Sequence, residues 1–159
     1  MKTSTIINAF LFIGIVIFSS SCKKKGCTDK DGANYIAGAE KSTLCQYRYG
    51  KTVTVNANNG VSYDPFDAPD LYIKFATSAS PQWDYNVPVF NNTYQITGTF
   101  VNEFKFTNED WVYEVYDQDT FDSDDLVCSG TFNPLVDGSA GNIVLINNGC
   151  TITFPYTVK

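Results

Sequence analysis

The stretch Trp111-Val-Tyr-Glu-Val-Tyr116 places successive side chains on opposite sides of an extended backbone, which is the period of a half-buried β-strand. Leu71-Tyr-Ile-Lys-Phe75 alternates in the same way, with its apolar residues on one face and Tyr72 and Lys74 on the other. Thr52-Val-Thr-Val-Asn56 and Cys150-Thr-Ile-Thr-Phe154 alternate too. Past the N-terminal apolar run, no segment keeps a helical period. The pattern therefore predicts an all-β protein.

Turn residues separate these segments and set the number of strands. Asn-Gly, Asn-Asn and Asn-Pro pairs recur, as in Asn147-Asn148-Gly149. This spacing predicts an antiparallel sandwich of about eight strands over residues 51–159, with 71–75 and 111–116 as central strands. The continuous apolar run Ile143-Val-Leu-Ile146 predicts a strand buried on both faces. The residues expected in the core include Leu71, Ile73, Val115 and Phe154.

The N-terminus has the features of an export signal. Lys2 precedes an apolar run from Ala9 to Phe18, which is too short to span a bilayer, and Ser19-Ser-Ser-Cys22 follows. Small residues before a cysteine resemble the cleavage box of bacterial lipoproteins, although Ser19 stands where that box usually has Leu. Residues 1–21 are therefore expected to be a lipoprotein signal peptide, with Cys22 as the lipidated residue; ordinary signal cleavage nearby is the alternative.

Five cysteines are an odd number, and an odd cysteine in an exported chain needs an explanation. A lipid on Cys22 would leave four for disulfides, which suit an oxidising compartment. Three connectivities are possible, and the local one, Cys27 with Cys45 and Cys128 with Cys150, is the prediction.

Residues 22–50 are expected to form a lipid-anchored tether followed by a small disulfide module. The basic spacer Lys23-Lys-Lys-Gly26 is best interpreted as a solvated tether, and Lys23 directly after the lipidation site favours an outer-membrane location. Asp29, Asp31 and Glu40 occupy the first, third and twelfth positions of a possible calcium loop. However, Ala33 fills the fifth position, so a disulfide-closed knot is the preferred interpretation.

Composition excludes several functions. The 159 residues contain no histidine, which rules out Ser-His-Asp and Cys-His catalysis and the usual histidine-ligated metal sites. The formal net charge is −6, whereas a nucleic-acid-binding protein needs a basic face, so no nucleic-acid partner is expected.

Two aspartate clusters carry the functional information. Asp64-Pro-Phe-Asp-Ala-Pro-Asp70 and Asp117-Gln-Asp-Thr-Phe-Asp-Ser-Asp-Asp125 each lie between strand-like segments, so each is predicted to be a loop. If one end of the sandwich brings the two loops together, their carboxylates repel one another unless a cation is present. Calcium takes six to eight oxygen ligands at flexible geometry, which suits such a site.

The order and spacing of these residues resemble C2 domains, the calcium-dependent phospholipid-binding family. Asp70-Leu-Tyr-Ile-Lys74 is similar to the family's Asp-Pro-Tyr-Val-Lys stretch, and Pro88-Val-Phe-Asn91 is similar to its Asn-Pro-Val-Phe-Asn strand entry. Asp117-Gln-Asp119, with Asp125 after it, resembles the Asp-x-Asp…Asp third loop. The resemblance covers about residues 51–159 and implies an eight-stranded C2-like β-sandwich.

The resemblance also implies roles for individual residues. Five aspartates would hold Ca²⁺ at one end of the sandwich, and Asp122 would supply an auxiliary oxygen. Phe66 and Phe121, at the tips of the two loops, would contact membrane; the alternative is that both pack the loops internally. The family's lysine-rich strand is missing, since only Lys105 falls in that region. The five implied calcium ligands are Asp64, Asp70, Asp117, Asp119 and Asp125.

These observations predict an envelope-anchored, non-enzymatic module that binds anionic lipid, glycan or protein through calcium. One alternative is an interaction or structural lipoprotein in which calcium only rigidifies the loops. Another is a lectin-like glycan-binding module, for which Trp83 and Trp111 could stack sugars, although Trp111 fits a strand core better. A carboxylate-pair hydrolase is disfavoured, because the acidic residues lie too densely for one acid and one nucleophile.

Overall fold

The computed structural model describes residues 23–58, 67–80, 82–120 and 122–159. Four of the predicted functional residues lie outside this part of the chain: the lipidation site Cys22, the loop ligand Asp64 and the two loop-tip residues Phe66 and Phe121. No helix long and apolar enough to cross a membrane occurs among the residues that are described.

The described part of the chain contains eleven strands and no helix. Eight of them are long, as the sequence predicts, and three have only two residues. The strands are β1 Lys25–Gly26, β2 Lys41–Ser42, β3 Arg48–Asn56, β4 Leu71–Thr77, β5 Tyr85–Phe90, β6 Gln95–Lys105, β7 Trp111–Asp117, β8 Asp125–Phe132, β9 Gly138–Ser139, β10 Asn142–Asn147 and β11 Cys150–Val158.

Two antiparallel sheets form the sandwich. The first has five strands in the order β6-β3-β11-β10-β9, and the second has four in the order β5-β4-β7-β8. Short turns fix the register: Asn148 and Gly149, with φ angles of 49° and 80°, close the hairpin from β10 to β11, as their Asn-Gly sequence predicts. The predicted fold class, an all-β antiparallel C2-like sandwich, is confirmed.

One continuous core lies between the sheets, because the inward residues of both sets of strands belong to a single cluster. The four predicted core residues are all completely buried. Phe75 lies near its centre, with ring centroids of neighbouring aromatics about 5 Å away: Phe154 at 5.1 Å and Tyr85 at 4.9 Å. Aromatic pairs at these separations add to the free energy that burial supplies. Trp111 is only 2% exposed and belongs to this core, so it is not available to stack a sugar.

Both predicted disulfides are present. Cys128 of β8 is bonded to Cys150 of β11, so this bridge connects the two sheets covalently. Cys27 is bonded to Cys45 and closes the N-terminal module. The paired cysteines are separated by 18 and 22 positions in the sequence. Loops of this size are worth about 3 kcal/mol each in the chain-entropy model.

The carboxylates of the N-terminal module bind protein groups rather than forming a calcium loop. Asp29 accepts hydrogen bonds from the Asp31 N–H at 2.9 Å and from the Tyr47 hydroxyl at 2.8 Å, and these bonds lower the pKa of Asp29. Asp31 in turn accepts the backbone N–H of Asn108, which lies between β6 and β7, at 3.0 Å. Glu40 lies 3.9 Å from Lys23. The module is therefore a disulfide-closed unit that is hydrogen-bonded to the sandwich.

The prediction for Ile143–Ile146 is wrong in one respect. The segment is a strand, but only one of its faces is buried: Ile143 is completely buried, whereas Val144 is 51% and Ile146 78% exposed. β10 lies near the edge of the five-stranded sheet, and no element of the described chain covers its outer face. Apolar residues at alternate positions thus point to solvent.

Candidate functional site

The acidic residues gather at one end of the four-stranded sheet. β4 begins at Leu71, β7 ends at Asp117 and β8 begins at Asp125, and these three residues are in register across the strands. Since neighbouring strands are antiparallel, the end of one lies beside the start of the next. Asp70, directly before β4, therefore shares this edge with Asp117 and Asp125, as the sequence predicts.

Asp117 is the best-fixed carboxylate of this acidic edge. Its side chain is only 1% exposed, and its Oδ1 accepts the backbone N–H of Asp70 at 2.6 Å. The ladder continues one residue beyond the strands, where the Gln118 N–H donates to the Asp70 carbonyl at 3.0 Å. A buried carboxylate is costly unless charged or polar groups satisfy it. The chain thus holds a buried carboxyl group in place at the end of β7.

The turn after β5 fixes the Asp70 side chain. Asn92, in the left-handed region with φ of 52°, donates its backbone N–H to Asp70 Oδ1 at 2.7 Å. With its side-chain amide oriented to donate, Asn92 also reaches Asp67 Oδ2 at 2.8 Å. The Thr93 N–H donates to the Pro69 carbonyl at 2.8 Å. These bonds attach the described end of the first acidic loop to the β5–β6 turn.

Three further predicted ligands lie between β7 and β8 or at the start of β8: Asp119, Asp122 and Asp125. Asp119 is partly buried, whereas Asp122 and Asp125 are exposed. Asp122 Oδ1 accepts the N–H of its neighbour Ser123 at 3.0 Å, a local bond that needs no cation. Phe121, the loop-tip residue, lies outside the described residues, so its predicted membrane contact is not tested.

Calcium suits these residues in chemical kind, because carboxylate oxygens are the ligands that it prefers. The positions of these carboxylates match a calcium site only in part. Asp70, Asp117 and Asp125 share one edge, but no group of three acidic residues or cysteines in the described residues converges closely enough to hold a metal ion. The predicted ligand Asp64 is outside these residues. The described part of the edge thus supplies a set of neighbouring carboxylates rather than a completed cage.

Beside this edge lies a polar network that the sequence did not reveal. The Tyr72 hydroxyl donates to Asp124 Oδ2 at 2.5 Å, and the Tyr116 hydroxyl donates to Glu114 at 2.8 Å. The two tyrosine rings are stacked, with centroids 5.3 Å apart. Lys74 Nζ lies 4.4 Å from the Tyr116 ring centroid and 3.8 Å from Glu114. Alternation did assign Tyr72 and Lys74 to one face, but their partners depend on cross-strand register.

Burial and hydrogen bonding change the titration of both tyrosines. Partial burial, and then the bond to Asp124, raise the pKa of Tyr72 strongly. The bond to Glu114 is the main cause that raises the pKa of Tyr116. Lys105, the only lysine in the region where C2 domains carry a lysine-rich strand, is not part of this network: its Nζ is 3.6 Å from the ring centroid of Tyr47. The cation of the polar network beside the acidic edge is instead Lys74.

Comparisons with known proteins support the fold. No protein-family model matches the chain, and no curated protein matches it either. Among solved structures, it is similar to human GIVD cytosolic phospholipase A2 in complex with methyl gamma-linolenyl fluorophosphonate, at 11% identity and a TM-score of 0.54. That similarity covers 74% of this chain but only 17% of the phospholipase chain.

C2 domains are also among the structural neighbours. One, described as the structure of a C2 domain, has 22% identity and a TM-score of 0.46, and covers 71% of this chain and 96% of that one. The first C2 domain of plant Extended Synaptotagmin 1 has 12% identity and a TM-score of 0.48, and covers 70% and 92% of the two chains. At 11% identity, the similarity to the phospholipase structure indicates the fold and not the function.

Proposed function

We propose that this protein is a calcium-dependent binding module, without enzymatic activity, that is attached to the bacterial cell envelope by a lipid on Cys22. The observation that carries the proposal is the acidic edge, where three strand termini place Asp70, Asp117 and Asp125 side by side with Asp117 buried. The sequence resemblance to C2 domains adds Asp64, Asp119 and Asp122 to the same set.

Calcium would have two effects at this edge. It would offset repulsion between loop carboxylates, because the ion supplies the largest local positive charge. It would also leave coordination positions for oxygens of a ligand. An anionic lipid headgroup is the proposed ligand, since Phe66 and Phe121 belong to the same loops and could enter the bilayer surface. A calcium-bound loop that only rigidifies the domain is the competing function.

The first test is calcium-dependent stability of the purified protein. Affinity of about 10⁻⁴ to 10⁻³ M is sufficient outside the cytosol. At about 100 times the dissociation constant, calcium should add about 2.7 kcal/mol to the free energy of unfolding. The Asp117→Asn/Asp119→Asn double variant keeps the side-chain shapes but removes two charges. It should lose the calcium-dependent rise in melting temperature, while its calcium-free form is no less stable than the calcium-free parent.

A matched control removes two charges away from the edge, at Glu40 and Glu103, whose carboxylates lie near Lys23 and Lys159. The Glu40→Gln/Glu103→Gln variant should keep the full response to calcium. Calorimetry that finds unchanged calcium binding in the Asp117→Asn/Asp119→Asn variant would show that the acidic edge is not the site.

The second test separates ligand binding from rigidification. A Cys22→Ser variant of the full chain, which lacks the proposed lipidation site, is mixed with vesicles of phosphatidylcholine alone or with phosphatidylglycerol. Sedimentation with the anionic vesicles in calcium, and release by chelator, is the expected result. Calcium-dependent stability without vesicle binding would favour the rigidifying function instead.

A further inference from the structure

The outer face of the four-stranded sheet carries a row of polar residues that crosses every strand. Asn86, Lys74, Glu114 and Ser129 are neighbours in register on β5, β4, β7 and β8. The next row, farther from the acidic edge, contains Ala76, Val112 and Thr131. A polar row therefore borders a floor of small and apolar side chains.

Trp83 stands over this floor, in the connection between β4 and β5. The connection is held in shape by its own hydrogen bonds: Ser80 Oγ donates to Asp84 Oδ1 at 3.0 Å, and the Thr77 N–H donates to Asp84 Oδ2 at 3.3 Å. The Ser78 N–H ties it to the Asp110 carbonyl at 2.7 Å. The indole itself is only partly buried. An aromatic side chain is thus presented to solvent on a fixed support.

Trp83 borders two cavities. The larger, about 390 Å³, is bordered by the indole, by Val112 and by three polar residues, Glu114, Ser129 and Thr131. The smaller cavity, of about 230 Å³, is bordered by Trp83 and Val112 too, together with Ala76, Ser80 and Gln82. Ligand sites generally combine apolar and aromatic walls with a few polar groups in this manner.

From this lining we infer that the larger cavity binds a neutral saccharide of one or two rings. A sugar ring has an apolar C–H face, which can stack on the indole, and a rim of hydroxyls that both donate and accept hydrogen bonds. Ser129 and Thr131 can do both, and the Glu114 carboxylate accepts. A purely apolar ligand would offer no partner to the Ser129 and Thr131 hydroxyls, at a cost in free energy.

Charge argues for a neutral ligand. Lys74 lies 3.8 Å from Glu114 and 5.2 Å from the centroid of the Trp83 ring, so the two charges of the polar row largely cancel. An anionic ligand in the larger cavity would meet the Glu114 carboxylate directly. The cavity is also separate from the acidic edge, because Glu114, its lining residue nearest that edge on β7, is three positions from Asp117, or about 10 Å. Saccharide binding should therefore not require calcium.

Tryptophan fluorescence of the full chain provides the test, since Trp111 is only 2% exposed and Trp83 is the other tryptophan. The probes are cellobiose, xylobiose, maltose and N,N′-diacetylchitobiose, titrated in chelator. At least one should give a saturable change in emission and protect Trp83 from iodide quenching. Trp83→Ala, measured by calorimetry, should weaken binding about tenfold or more, as loss of a central tryptophan anchor does.

Three variants make the result specific. Trp83→Phe keeps an aromatic ring and should retain part of the affinity, which also guards against misfolding of the alanine variant. Glu114→Gln should weaken binding, whereas Tyr35→Ala, at an aromatic residue 43% exposed in the N-terminal module, should not. Absence of a saturable response to all four sugars, or equal affinity in Trp83→Ala and parent, would overturn the inference. The Asp117→Asn/Asp119→Asn variant should bind sugar normally, so failure of the calcium proposal would be recognised separately.

Discussion

The two outer faces of the sandwich cover the same core but differ in chemistry. The outer face of the four-stranded sheet carries ionised and aromatic groups, among them Lys74, Glu114, Tyr72 and Tyr116, which are joined to one another by hydrogen bonds and ring contacts. The outer face of the five-stranded sheet is uncharged over the part of four adjacent strands nearest the β10–β11 hairpin, whereas Lys51 of β3 and Glu103 of β6 are exposed farther along. The outward residues of the uncharged part are Gln95, Thr97, Thr99, Thr52, Thr54, Asn56, Thr151, Thr153, Pro155, Asn142, Val144 and Ile146.

This difference shows that the residues on the outward side of each strand are not fixed by packing of the core. Alternation fixes only the inward residue at each step along a strand. On the outward side, threonine suits a strand by its branched side chain alone, and Thr54 and Thr97 simply share a hydrogen bond of 3.1 Å. The strand propensity of a residue does not explain Lys74, which lies near the rings of Tyr72, Trp83 and Tyr116. Both proposed binding sites therefore lie on the four-stranded sheet, one on its outer face and one at its acidic edge.

The largest expected effect tests whether the two faces truly share one core. Ile73→Ala, beneath the four-stranded face, and Ile152→Ala, beneath the five-stranded face, should each cost about 2–5 kcal/mol in the free energy of unfolding, because both side chains are completely buried. Urea denaturation measures both. A cost below about 1 kcal/mol for either one would mean that its sheet contributes little to a common core.

A smaller effect compares charge on the two faces. Lys74→Met removes the cation beside Glu114, whose side chain is 31% exposed, and should cost about 1 kcal/mol. Thr153→Lys, which places a new charge on the uncharged part of the five-stranded face, should change stability by less than about 0.5 kcal/mol. Urea denaturation midpoints measure the stability of both variants. A greater loss of stability for Thr153→Lys than for Lys74→Met would contradict the difference drawn between the two faces. The Lys74→Met/Glu114→Gln variant should recover part of the loss.

The smallest expected effect is a dependence on alkaline pH that arises from one face. The pKa of Tyr72 is raised by burial and by its bond to Asp124, and that of Tyr116 by its bond to Glu114. A raised pKa stabilises the fold fully below the unfolded value of about 10, and this stabilisation is lost as pH rises toward the folded value. Stability should thus decline above about pH 10, and less steeply in Tyr72→Phe/Tyr116→Phe. Equal slopes in both proteins would exclude these tyrosines as the cause.

The strands could be predicted from sequence because burial imposes a period of two on the inward residues. Ile143–Ile146 misled the same reasoning, since an apolar run does not reveal whether a neighbour will cover its outer side. The acidic edge was predictable because strand ends collect the loops that follow them. Two features could not be predicted from sequence: the hydrogen bond from the Asp70 N–H to Asp117, and the polar row around Lys74. Both depend on which residues face each other across strands.

The position of β11 has a consequence for the order in which the molecule can be completed. The last strand lies between β3, the first long strand, and β10, and its Cys150 bonds to the opposite sheet. β3 therefore cannot pair with β11 until the chain has been made as far as Val158, and the covalent link between the sheets cannot form before Cys150 is present. Contacts between such distant parts of a chain form slowly. A newly made chain must stay open, with β3 unpaired on one side, until β11 has been synthesised; a copy truncated before Cys150 would lack both this strand and the bridge.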